Sequence, residues 1–116
     1  MATTRQFNSS TRVAMFATML AASALAHGAP ANDNFQNAAI LSVSDGSLAD
    51  SNVLATAETG EPSHGGPYSP AGKSLWWSYT PAVTSTVNFT TMGSNFDTVL
   101  AIYTGTELQT LTTVAA

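Results

Sequence analysis

From Ile40 to the last residue, apolar side chains never recur at helical spacing over a stretch long enough to bury a stripe. Short runs rich in Val, Thr and aromatic residues are separated instead by Gly, Pro, Asn, Asp and Ser, which is the pattern of an all-β domain. Strands are expected over roughly 39–43, 47–56, 73–80, 84–91, 97–104 and 108–114. The connections are Asp45-Gly46, a long loop over 57–72, Pro81-Ala82, Gly93-Ser94-Asn95 and Gly105-Thr106. This spacing suits an antiparallel β-sandwich of jelly-roll type. One helical turn is expected after Asn32-Asp33-Asn34, where an Asx side chain can cap Phe35 to Ala39, and it is expected to be short and peripheral.

The N-terminus reads differently. Met1 to Arg12 is polar and carries Arg5 and Arg12 without an acidic residue, and Val13 to Ala26 is an uninterrupted small or apolar run ending in Ala24-Leu25-Ala26. Polarity returns at His27-Gly28-Ala29-Pro30. This is the layout of a signal helix cleaved after Ala26. A run of about 14 apolar residues falls short of the roughly 20 that cross a bilayer core, so a membrane anchor is the weaker alternative. The expected organisation is a signal peptide over 1–26, an N-terminal extension over 27–38 and a β-sandwich domain over 39–116. The expected location is extracellular or periplasmic, with no membrane association after cleavage.

The 116 residues hold 3 Lys+Arg, 7 Asp+Glu and no Cys. Cleavage removes both Arg residues and leaves Lys73 alone against Asp33, Asp45, Asp50, Glu58, Glu61, Asp97 and Glu107. So acidic a chain lacks the cationic surface that neutralises phosphates, and nucleic acid is not an expected partner. The absence of Cys excludes a disulfide framework, a thiolate metal site and a Cys nucleophile. A domain this small buries only about 60–65% of its unfolded surface, so its stability should be marginal unless something completes it.

Within the strands, alternation sorts the faces. Leu75, Trp77 and Tyr79 share one face and Ser74, Trp76 and Ser78 the other, so one indole points inward and the second lies outward or under a loop. Val87 and Phe89 are expected to face the core. Over Asp97 to Tyr103 both sets, Val99/Ala101/Tyr103 and Thr98/Leu100/Ile102, are largely apolar, as in a central strand buried on both sides. The chain stops just after Leu108 to Val114, still in strand-like sequence. Six strands make an incomplete sandwich where about seven are usual, so the sequence is expected to be a fragment or to take a strand from elsewhere.

Several segments together resemble the bacterial pre-peptidase C-terminal-like β-sandwich domain. They are Pro30-Ala31-Asn32-Asp33-Asn34-Phe35 with Ala38, Gly60 to Gly66, Gly72-Lys73-Ser74-Leu75-Trp76-Trp77, and Gly93-Ser94-Asn95-Phe96-Asp97-Thr98 running on to Gly105. The resemblance spans about residues 30–116 and is most specific from Gly93 to Gly105. It implies a non-catalytic appendage of large secreted or surface proteins. It also implies that strands following Leu108 to Val114 in relatives are missing here.

Candidate chemistry is sparse. The loop carrying Glu58, Glu61 and His64, with Asp97, offers carboxylate oxygens and an imidazole to a hard cation such as Ca2+, although the EF-hand order is absent and a plain polar surface loop explains the same residues. Gly60, Gly65 and Gly66 suit turns in that loop and Pro62 stiffens it. Asp97 also suits a structural role, accepting backbone N–H groups of the Gly93-Ser94-Asn95 turn or of Val99. Trp76, Tyr68 and Tyr103 are candidate stacking surfaces for a glycan or peptide, unless loop 57–72 folds back over Trp76. Neither a carboxylate pair nor a Ser–His–acid triad is indicated, since adjacency of Ser63 and His64 does not define triad geometry. The expectation is a non-enzymatic accessory module without cofactor, acting on an extracellular protein or glycan. The alternative is a stand-alone calcium- or carbohydrate-binding protein.

Overall fold

The computed structural model describes residues 28–42, 46–66 and 72–116, together with strands β1 (Ala2–Phe7) and β2 (Thr11–Ala17). The remaining strands are β3 (Ala39–Leu41), β4 (Ser74–Tyr79), β5 (Ser85–Thr90), β6 (Thr98–Thr104) and β7 (Thr112–Ala115). Among the described residues there is no α-helix, and 3-10 turns include Phe35–Asn37 and Leu108–Thr110. The protein is therefore all-β. Five strands form one sheet in the order β3-β4-β2-β6-β7, and β1 pairs with β5 in a separate two-stranded ribbon.

β2 is the centre of the larger sheet. It is antiparallel to β4 on one side and to β6 on the other, with Ala14 opposite Trp76 and Ala101 at once. The expected signal helix is thus extended over its described part, Thr11–Ala17. A short apolar run carries no period that separates buried strand from helix, and Thr11, Val13 and Phe16 favour extended backbone. The expected cleavage point after Ala26 lies outside the described residues.

Alternation in β4 and β6 builds two cores, one on each face of the sheet. Trp76, Ala101 and Tyr103 join Phe35 and Leu108 on one face. Leu75, Trp77 and Leu100 join Ala55 on the other, with Ala39, Leu41 and Phe89 packed against them. Phe89 is the ribbon's contribution to that face and meets Tyr79 edge-on at 5.8 Å. As expected, β6 is buried on both sides, and Leu100 to Tyr103 are all buried.

Four expectations are corrected. Residues 47–56 are not a strand: Asp50 Oδ1 accepts the Ser51 N–H, Asn52 Nδ2 donates to the Lys73 carbonyl, and Leu54 has φ 66°. These local side-chain bonds displace a ladder, and Leu48, Val53 and Leu54 stay exposed. The sheet is not purely antiparallel, because β3 runs parallel to β4 with Ala39 opposite Trp77. The turn at Phe35 is not peripheral either. Phe35 is 1% exposed and meets Trp76 edge-on at 5.1 Å, while the Trp76 N–H donates to the Asn32 carbonyl at 2.9 Å. Asp33 does not cap that turn; its carboxylate accepts the Thr56 N–H and hydroxyl at 2.6 and 2.9 Å, and no side chain caps from Asn34.

The N-terminal extension is thereby part of the core, which urea unfolding of the full chain can check. Phe35→Ala should lower stability by about 3–5 kcal/mol, as for a fully buried aromatic. Ile40→Ser, at a strand position that is 80% exposed, should change it by less than about 0.5 kcal/mol. Equal effects would place Phe35 outside the core.

Candidate functional site

The candidate residues converge on Glu61. Its loop turns back at Gly60, whose φ of +96° suits glycine, with the Glu61 N–H donating to the Glu58 carbonyl at 3.1 Å. A Cβ at Gly60 would also meet the Gln109 Cγ at 3.2 Å. The turn delivers a carboxylate whose side chain is 0% exposed to the Trp76 face of the sheet. Glu61 Oε1 accepts from Ser74 Oγ at 2.7 Å, the Glu58 N–H at 3.1 Å and Trp76 Nε1 at 3.3 Å. Oε2 lies 3.4 Å from His64 Nε2, and His64 Nδ1 lies 2.8 Å from the Tyr103 hydroxyl.

Because an ionised carboxylate only accepts, Nε2 carries a proton, and in a neutral ring the phenol then donates to Nδ1. The chain of bonds runs from Tyr103 through His64 to Glu61. His64 is fully buried and packs edge-on against Trp76 at 5.4 Å and Tyr103 at 5.6 Å. Loop 57–72 therefore does fold back over Trp76 in its described part.

This geometry sets two titrations. Burial pushes the Glu61 carboxyl up, but the hydrogen bonds from His64, Ser74, the Glu58 N–H and Trp76 outweigh it and hold it below its ordinary 4.5. Burial, with the nearby Glu61 charge second, pushes the Tyr103 phenol up to about 12.

The residues expected to bind ligand are placed as follows. Trp76 and Tyr103 are 0% and 1% exposed, so neither ring presents a stacking face. The cause is the cover of His64 and Phe35. Tyr68 lies outside the described residues. Of the candidate metal ligands, Glu61 and His64 meet, but they bond each other. The Glu58 carboxylate accepts the Phe35 N–H at 2.5 Å. Asp97 is exposed before β6. Its expected role in the turn falls to others, with the Ser94 N–H donating to the Thr91 carbonyl at 3.1 Å and the Thr98 and Thr91 hydroxyls 2.7 Å apart. Among the described residues, no three His, Asp or Glu side chains gather as a metal site would require. No described helix is long and apolar enough to cross a membrane.

Sequence reasoning missed Ser74, Asn32 and Asp33 as buried polar anchors. Ser74 shares the Trp76 face by simple alternation, which was the available signal. Among the described residues, the buried polar atoms Asn52 Oδ1 and Trp77 Nε1 have no hydrogen-bond partner. No protein-family model, curated protein or solved structure matches the chain.

Stability should follow these groups across pH. A carboxyl held low in the fold contributes stability above its unfolded value of 4.5 that is lost as pH falls through the lower folded value. A phenol held high contributes below pH 10, and that contribution is lost as pH rises from 10 to about 12. Thermal unfolding from pH 3 to 11 should thus show a plateau with both shoulders. Glu61→Gln should lower the plateau by about 2–3 kcal/mol, as for loss of bonds to a charged acceptor, and flatten the acid shoulder. An unchanged acid shoulder in the variant would assign it to another carboxylate.

Proposed function

We propose that this chain is a secreted, non-catalytic accessory module with a β-sandwich of jelly-roll type, similar to the bacterial pre-peptidase C-terminal-like domains appended to extracellular peptidases and surface proteins. The observation that carries the reading is the use made of Gly93 to Gly105. Gly93 and Gly105 take φ of 98° and 137°, Thr91 and Thr98 close the turn, and the apolar residues between form an interior strand. The motif serves folding rather than chemistry. The two faces of the sheet, one meeting Phe89 of the ribbon, are the arrangement a sandwich would extend.

The polar residues support the absence of catalysis. His64 is bonded at both ring nitrogens, and Ser74 Oγ is 2.7 Å from Glu61 and 3.1 Å from the Thr56 carbonyl. A nucleophile so enclosed has no open side for a substrate. The calcium- or glycan-binding alternative has less behind it, because Trp76 and Tyr103 are buried and no three His, Asp or Glu side chains gather among the described residues.

Expression of the full chain in a bacterial host should give an exported product that begins at His27 by intact-mass measurement. That product should hydrolyse protein and ester substrates no faster than buffer, and millimolar calcium should leave its unfolding midpoint unchanged. Retention of residues 1–26 in the cytosol would overturn export, turnover would overturn the non-catalytic role, and a calcium-dependent rise would favour the alternative.

A further inference from the structure

The central strand and the expected leader are the same residues. β2, Thr11–Ala17, lies between β4 and β6 and is hydrogen-bonded to both. The outer edges of those two strands are already used, β4 by β3 and β6 by β7. Removing residues 1–26 therefore leaves two facing edges of unpaired N–H and C=O groups within one sheet. Neighbouring strands lie about 4.8 Å apart, so these edges stand about 9–10 Å apart. That is too far for direct pairing and the width of one strand. Since each is antiparallel to β2, β4 and β6 are parallel to each other.

We propose that the exported chain accepts an extended segment of a partner protein into the slot between β4 and β6, antiparallel to both strands. The proposal rests on the reading of residues 1–26 as a cleaved leader. The flanking residues specify the occupant. Its middle position lies between Trp76 and Ala101, and the positions before and after lie between Trp77 and Ile102 and between Leu75 and Leu100. All six flanking residues are buried, so the three central residues of the occupant are uncharged. Ser78 and Tyr103 flank the position of Arg12, one step beyond this stretch. The occupant is thus a strand of about seven residues held by main-chain bonds on both edges, with specificity from its three central side chains. The ribbon strand β5 also loses its partner β1, but its residues alternate between half-buried and exposed, so water can satisfy that edge.

The test starts from the full chain expressed with its own N-terminus and the exported product it yields. Intact mass decides the underlying reading first: retained residues 1–26 would overturn that reading and the open slot with it. The processed product is then titrated with a synthetic peptide of residues 11–17, TRVAMFA, and followed by tryptophan fluorescence and amide hydrogen exchange. Saturable one-to-one binding is expected, with exchange slowed at least about tenfold at residues 74–79 and 98–104. The same peptide carrying Ala14→Glu should not bind. A processed monomer whose β4 and β6 amides are protected without peptide would show that the slot closes on itself and overturn the proposal. A processed dimer with those amides protected would assign the slot to a second copy and overturn the partner. A product that stays unfolded with and without peptide would also overturn it.

Discussion

The Trp76 face of the sheet is organised around a negative charge held out of water. Glu61 bonds the loop backbone at Glu58, the sheet at Ser74 and Trp76, and the His64 ring that covers them. A carboxylate in that position is tolerated because each oxygen is met by donors, three on Oε1 and one on Oε2. The reverse also holds. Without the carboxylate, the Trp76 indole N–H would lose its acceptor, the Ser74 hydroxyl would keep only the Thr56 carbonyl, and His64 would lose the acceptor that fixes its ring. An otherwise irregular loop thus becomes a lid, and β4 can carry adjacent tryptophans with neither exposed.

How far the sequence reveals this follows from the range of each interaction. Alternation is local, and it correctly sorts Trp76 from Trp77 and both faces of β6, because a strand's side chains must point to opposite sides. The glycines at 60, 93 and 105 are also legible, since φ near +100° or beyond is a local demand. The run over 47–56 misleads because Asp50, Ser51 and Asn52 offer the backbone nearer partners than any strand. The site is harder. Glu58, Glu61 and His64 stand close in sequence whether they bind a cation or one another, and only the approach of Ser74, Trp76 and Tyr103 from distant strands decides for the second. Phe35 likewise reads as peripheral until the Asn32 carbonyl is seen to accept the Trp76 N–H.

The double reading of Thr11–Ala17 has a physical origin. A strand buried on both faces loses its polar alternation and becomes a continuous apolar run. The hydrophobic part of an export signal is also a continuous apolar run, selected for small size and lack of charge. One composition satisfies both demands, and no period distinguishes them over seven residues. The neighbours fix the outcome: β4 and β6 are each paired on the far side, so any extended, uncharged segment within reach gains main-chain bonds on both of its edges.

The two faces of the sheet depend unequally on that segment. The Trp76 face is closed by residues beyond 27, namely Phe35, His64, Tyr103 and Leu108, and its buried polar groups at Glu61, His64 and Ser74 are matched. The Trp77 face is covered in part by Phe89 on β5, whose strand pairs with β1, and it holds Trp77 Nε1, a buried donor without a partner among the described residues. An unmatched buried donor typically costs about 1–3 kcal/mol, so this is where the domain is least complete. Loss of residues 1–26 would remove β2 from between β4 and β6, opening both faces, and would also take β1 from the ribbon strand that carries Phe89 on the Trp77 face. The Trp77 face therefore loses more than the Trp76 face, since it loses the support of the ribbon as well as that of the central strand.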